Sequence, residues 1–205
     1  MRHMGLIKAF AMSGGDWVIH ILILCSILSI GVIIERAVVF RRRKAAARLP
    51  DGFLAAWRAG KLEAAAGTLD GCPVERSLAL SLAEASARGE DLRAASAEGP
   101  MRERRLLEAR LTALNTLGNN APFIGLLGTV LGVIRAFHDL AFASSAGPEA
   151  VMQGLSEALV ATAVGILVAL PCVIAYNVFH KSLEDRVSDA ELLSARLAAA
   201  AGRGD

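Results

Sequence analysis

Glu157-Ala158-Leu159-Val160-Ala161-Thr162-Ala163-Val164-Gly165 sets a carboxylate at the mouth of a long uncharged run, with a hydroxyl and several small side chains behind it. Hydrocarbon offers such a face nothing. Small residues let helix backbones approach closely, and a hydroxyl inside a span needs a protein partner or a water-filled path. The run continues without Asp, Glu, Lys or Arg to residue 180, and residues 17–34 and 111–134 are equally free of charge. Each meets the roughly 18 to 20 residues that cross a hydrocarbon core of about 30 Å. Three spans follow, and with them an integral membrane protein.

The 205 residues are 54% apolar with a net charge of only +2, so the distribution of charge matters more than its sum. Mean hydropathy is +0.47. The first run follows Arg2 and Lys8, as a secretory leader would, but it is longer than a signal core and ends in Glu35-Arg36 and Arg41-Arg42-Arg43-Lys44. That basic flank stops transfer, and an uncleaved helix is expected. Between residues 41 and 118 lie 14 Lys+Arg against 10 Asp+Glu, whereas residues 143–156 contain no Lys or Arg. The basic side is the cytoplasmic one. The expected order is an N-terminus facing away from the cytoplasm at 1–16, a transmembrane helix at 17–40 and a cytoplasmic helical loop at 41–118. A second transmembrane helix at 119–142, a short connector facing away from the cytoplasm at 143–155, a third transmembrane helix at 156–180 and a cytoplasmic helical tail at 181–205 complete it.

Outside the membrane, Pro/Gly signals at residues 49–52, 71–73 and 99–100 mark turns, and 53–69 and 74–97 read as helices between them. Leu107, Leu111 and Leu114 recur at helical spacing from Met101 onward, which predicts one helix running unbroken into the second span. Leu183, Val187, Leu193 and Leu197 extend the third helix into the cytoplasm in the same way. The fold class is all-α, with long helices sharing one bundle.

Polar chemistry enters the spans at few places. Gly125, Gly128, Thr129, Gly132 and Ala136 share one face of the second span; Ala158, Thr162, Gly165 and Ala169 share one face of the third. Such faces either serve helix packing alone or line a polar path, and the paired threonines favour the second use. Glu157 stands at the outer border of the third span, as an interfacial carboxylate or as the mouth of that path. By projection it lies about 140° around the helix from Thr162. Glu35-Arg36 read as an anchor, Arg135 and Asp139 as an ion pair at the rim, and Pro171 as a shape-setting residue. Three scattered cysteines and four histidines show no metal or redox spacing, and no cofactor is expected. An intramembrane enzyme would need a buried Ser/His or paired Asp arrangement, which the spans lack.

At Ala121-Pro122-Phe123-Ile124-Gly125-Leu126-Leu127-Gly128-Thr129-Val130, at 157–165 and at Tyr176-Asn177-Val178-Phe179, the sequence resembles the ExbB/TolQ/MotA proton-channel family, in its ExbB/TolQ branch. The resemblance covers most of the chain and is weakest across residues 49–100. It implies a homopentamer whose second and third spans surround an ExbD/TolR-like single-span partner carrying an intramembrane Asp, in the bacterial inner membrane. Thr129 and Thr162 would meet that Asp, and Glu157 would serve the periplasmic entrance. Gly125, Gly128, Gly132, Ala158, Gly165 and Ala169 would form the packing and partner-facing surface. A TonB/TolA-like or motility component would receive the work, and no nucleic acid is implied. The three spans depart from the four of the flagellar branch. The competing expectation is an oligomeric membrane scaffold that conducts nothing.

Overall fold

The computed structural model describes residues 15–43, 49, 52–142 and 148–201, and every described element is helical. In chain order these are α1 (Asp16–Arg42), α2 (Phe53–Arg58), α3 (Leu62–Gly67), α4 (Pro73–Ala87), α5 (Leu92–Ala95), α6 (Glu98–Glu108), α7 (Leu111–Phe142) and α8 (Pro148–Ala201). Three of them, α1, α7 and α8, are long and apolar enough to cross a membrane. Their outward positions carry Ile23, Leu24, Ile27 and Leu28 on α1, Phe123 and Leu126 on α7, and Leu159, Ile166 and Leu167 on α8, all exposed. An apolar exterior of this kind suits lipid. The N-terminal residues 1–14, the turn residues Pro50 and Asp51, Lys44 of the basic flank and residues 143–147 of the connector lie outside the described residues.

The chain divides into two compact units. The first comprises Met1–Ile34 and Arg110–Asn177. Val18 and Leu22 of α1, Ala121 and Leu131 of α7, and Val168 and Ala169 of α8 form its buried core. Side chains there are small where α7 faces α8, and this brings the two backbones together.

The second unit comprises Glu35–Ala109 and Val178–Asp205. Phe53, Trp57, Leu62, Leu69, Leu82 and Leu197 form an apolar core, and the Trp57 indole N–H donates to the Leu197 carbonyl at 2.8 Å. Arg43 donates to both oxygens of the buried Glu103 at 2.9 and 2.7 Å. Arg186 caps the end of α1, donating to the carbonyls of Phe40 at 2.6 Å and Arg43 at 2.9 Å, with its guanidinium 5.0 Å above the Phe40 ring. Burial lowers the Arg186 pKa. The carbonyls at a helix C-terminus attract such a cation. Arg36, read as an anchor, is buried; it pairs with Glu35 and donates to the Leu106 carbonyl near the end of α6.

Four readings of the connecting region need correction. Residues 53–69 form two short helices, because the chain turns at Gly60 with φ +76°. Residues 74–97 break likewise at Gly89, φ +70°, and α5 restarts under a cap in which the Asp91 carboxylate accepts from the Arg93 N–H. Gly99-Pro100 does not turn the chain. It sits in the first turn of α6, where the missing proline N–H leaves no helix bond unmade. A Cβ on Gly99 would stand 2.8 Å from Leu78 and Ser81 atoms, so closeness of packing explains that glycine. Finally, α6 and α7 are not one helix: Arg110 adopts φ +63° between them. In contrast, α8 continues through Pro171 to Ala201, as the leucine spacing predicts.

Candidate functional site

Glycine-to-backbone contact is what builds the site. A Cβ on Gly125 would lie 2.7 Å from the Ala161 carbonyl oxygen and 3.0 Å from the Thr162 Cα; one on Gly165 would lie 2.7 Å from the Ala121 carbonyl oxygen and 3.0 Å from the Gly125 Cα. Gly128 and Gly132 meet the Cβ atoms of Ala161 and Ala158 just as closely. The two small faces therefore close on each other within one chain. Gly125, Gly128, Ala158, Gly165 and Ala169 are buried there, and Gly132 is half-buried.

That approach lets one side chain cross the seam. The Thr129 hydroxyl stands 3.1 Å from the Ala158 carbonyl on α8, 3.3 Å from the Gly125 carbonyl in its own helix, and in hydrogen-bond contact with the Thr162 hydroxyl. Each hydroxyl has one proton to give and can also accept. With Thr162 donating to Thr129, the Thr129 proton goes to a carbonyl; with the direction reversed, Thr129 donates to Thr162. Both orders keep the pair bonded, so the couple can accept a proton on one side and release one on the other. Threonine does not ionise near neutrality, and a complete relay needs an acid beside it. Both threonines are only half-buried, which leaves the couple reachable from outside the seam.

Glu157 lies on α8 just beyond this couple. It is exposed, and the Gln153 amide donates to it at 3.1 Å. It lines a cavity of about 230 Å³ together with Asp16, Arg135, Asp139 and Gln153. The cavity reaches inward to Gly128, Ala158 and Ala161, and Ala158 supplies the carbonyl that Thr129 contacts. Neither Thr129 nor Thr162 lines this cavity; their chain neighbours Gly128 and Ala161 do.

Sequence reasoning missed the contribution of α1. Gly15, Asp16 and Ile19 close one side of the cavity, and Asp16 lies 3.4 Å from Arg135. The expected Arg135–Asp139 pair exists at 3.9 Å, but Asp16 is the nearer partner. No periodicity links residues 16 and 135; only their opposite charges at span borders gave a signal. Among the described residues no group of three or more His, Cys, Asp or Glu could hold a metal ion.

With this geometry in view, the similarities are informative. A family model described as the MotA/TolQ/ExbB proton channel family matches residues 72–192, more than half of the chain, including the threonine couple, Glu157 and most of the helices around them. The chain belongs to this family. Among named relatives, the biopolymer transport protein ExbB of Helicobacter pylori is 48% identical over 71 residues, 35% of this chain and 49% of that protein. The Tol-Pal system protein TolQ of Pseudomonas aeruginosa is 47% identical over 83 residues, 40% of this chain and 36% of that protein. ExbB of Xanthomonas campestris is 40% identical over 100 residues, 49% of this chain and 40% of that protein. The matched stretches span about half or less of these relatives' own length. ExbB and TolQ names place the chain in the ExbB/TolQ branch of its family, a family of membrane channel proteins.

Proposed function

We propose that this chain is the proton-channel subunit of an inner-membrane motor driven by the proton-motive force. The observation that carries the reading is the bonded Thr129–Thr162 couple, with a cavity at Glu157 whose lining includes Gly128 and Ala161, the chain neighbours of those threonines. Glu157 takes up protons at the periplasmic mouth, and the couple passes them to an acid that this chain does not provide. The runs at 111–134 and 158–180 contain no Asp or Glu. A single-span ExbD/TolR-like partner with an intramembrane Asp supplies that group, and the exposed side of the half-buried threonines is where it docks. Five copies of this chain surround the partner's helices, with the N-terminus periplasmic and the C-terminus cytoplasmic. Gly125, Gly128, Gly132, Ala158, Gly165 and Ala169 set the α7–α8 spacing and so support the partner-facing surface from behind.

One elementary charge crossing about 100 mV gains about 2.3 kcal/mol, so a few protons suffice to drive one set of helices against another. The work goes to a TonB-type import system, as the ExbB relatives' biopolymer transport names suggest, to a Tol-type system for envelope maintenance, as the TolQ name suggests, or to a motility apparatus. A second reading, a scaffold that conducts nothing, draws on the same glycines: they are used within the chain, which is what packing alone requires. Mass spectrometry of the complex taken gently from its native membrane separates the two. A co-purifying small protein with one span and an acidic residue inside it supports the motor; a bare homo-oligomer in several mild detergents supports the scaffold.

A further inference from the structure

Three carboxylates and one guanidinium line the cavity at Glu157, and their pairing is uneven. Arg135 reaches Asp16 on α1 at 3.4 Å and Asp139 on its own helix at 3.9 Å, Asp139 also standing 3.6 Å from the His138 imidazole, while the neutral Gln153 amide donates to Glu157 at 3.1 Å. We propose that Arg135 is the ion-selectivity residue of this cavity: it holds Asp16 and Asp139 so that Glu157 remains a lone proton acceptor and no metal cation is coordinated. This rests on the proton-path reading of Glu157 and adds which ion that path accepts.

A proton needs one carboxylate oxygen, whereas sodium or a divalent cation needs several oxygens converging at once. Space is no obstacle, since about 230 Å³ holds several waters, each with about 30 Å³ of liquid volume. Three carboxylates on three helices would supply the oxygens, were two not turned to a guanidinium. The Arg135 guanidinium also repels a metal ion directly by its positive charge. Its side chain is half exposed, so solvent weakens this repulsion without abolishing it.

The test is sodium binding by the full chain in micelles, with whatever partner co-purifies, followed by 23Na NMR line broadening. Wild type, Arg135→Lys and Asp16→Asn are expected to show no saturable binding. Arg135→Gln is expected to show saturable sodium binding that wild type lacks, through loss of one nearby screened charge. Adding Glu157→Gln to it should abolish that gain. If Arg135 only tied α1 to α7, Asp16→Asn would behave as Arg135→Gln does, and the proposal would be overturned. Saturable binding by wild type, or none by Arg135→Gln, also overturns it. Should Arg135→Gln fail to fold, carbodiimide labelling of Glu157 in the wild type decides: labelling unaffected by sodium supports the proposal, and protection by sodium refutes it. None of these readouts needs conduction, so loss of the proton-path reading would show separately, as unimpaired proton flux in Glu157→Gln.

Discussion

Gly165→Ala adds one methyl group at the closest point of the α7–α8 seam. The new Cβ would stand 2.7 Å from the Ala121 carbonyl oxygen, 3.0 Å from the Gly125 Cα and 3.3 Å from the Gly125 nitrogen. All three are backbone atoms, so no side chain can swing aside. Ordinary contact is restored only if the helices part by several tenths of an ångström. Overpacking of this kind costs about 1–3 kcal/mol. Alanine's higher helix propensity returns up to about 1 kcal/mol. A net loss of about 1–2 kcal/mol is therefore expected. Gly31→Ala is the control, because nothing lies within 4 Å of its added methyl, and it should be neutral or slightly stabilising. The parting has a second consequence. It lengthens the 3.1 Å contact between Thr129 and the Ala158 carbonyl beyond hydrogen bonding, so function should fall further than stability alone requires. Unfolding in mixed micelles on titration with SDS gives the stability difference, and energised activity in cells gives the function. A Gly165→Ala protein as stable and active as the Gly31→Ala control would refute the close-packed seam.

Other substitutions probe separate contacts. Thr162→Val keeps the shape and removes the hydroxyl, so assembly should persist at a cost of about 1 kcal/mol while energised function is lost; Thr162→Ser should restore it, as complementation would show. Arg110→Gly and Arg110→Asn should fold normally at φ +63°, whereas Arg110→Val should destabilise by about 1–2 kcal/mol, measured by the same titration. Glu103→Ala removes both bonds from Arg43, and partial exposure of that arginine should hold the loss to about 2–3 kcal/mol. Trp57→Phe removes the bond to the Leu197 carbonyl and should cost about 1 kcal/mol, whereas Trp57→Ala should cost about 3–5 kcal/mol and strip the core around Phe53.

The spans were the most legible part, because lipid penalises charge over a length that composition displays directly. The seam could be read too: Gly125, Thr129, Thr162 and Gly165 declare small, hydroxyl-bearing faces at helical spacing, and the fold presses them together. That these faces meet each other within one chain did not follow from spacing, which carries no record of which helix neighbours which. Helix breaks outside the membrane were harder. Gly60 and Gly89 sit inside Ala-rich stretches whose propensity favours continuation, and Arg110 carries no residue-type signal for a left-handed backbone at all. Gly99-Pro100 misled in the other direction, since the pair tolerates the first turn of a helix as readily as a loop. Asp16 was hidden because its role depends on Arg135, a partner 119 residues away.

The central claim is that protons pass from the Glu157 cavity through the threonine couple. Its most direct test is proton flux into liposomes holding the complex of this chain with its native partner, driven by an imposed membrane potential and read with a pH-sensitive dye. Flux in the wild type that falls to the background of empty liposomes in both Thr162→Val and Glu157→Gln, with the complexes still assembled, is the predicted result. Undiminished flux in either variant would contradict the account.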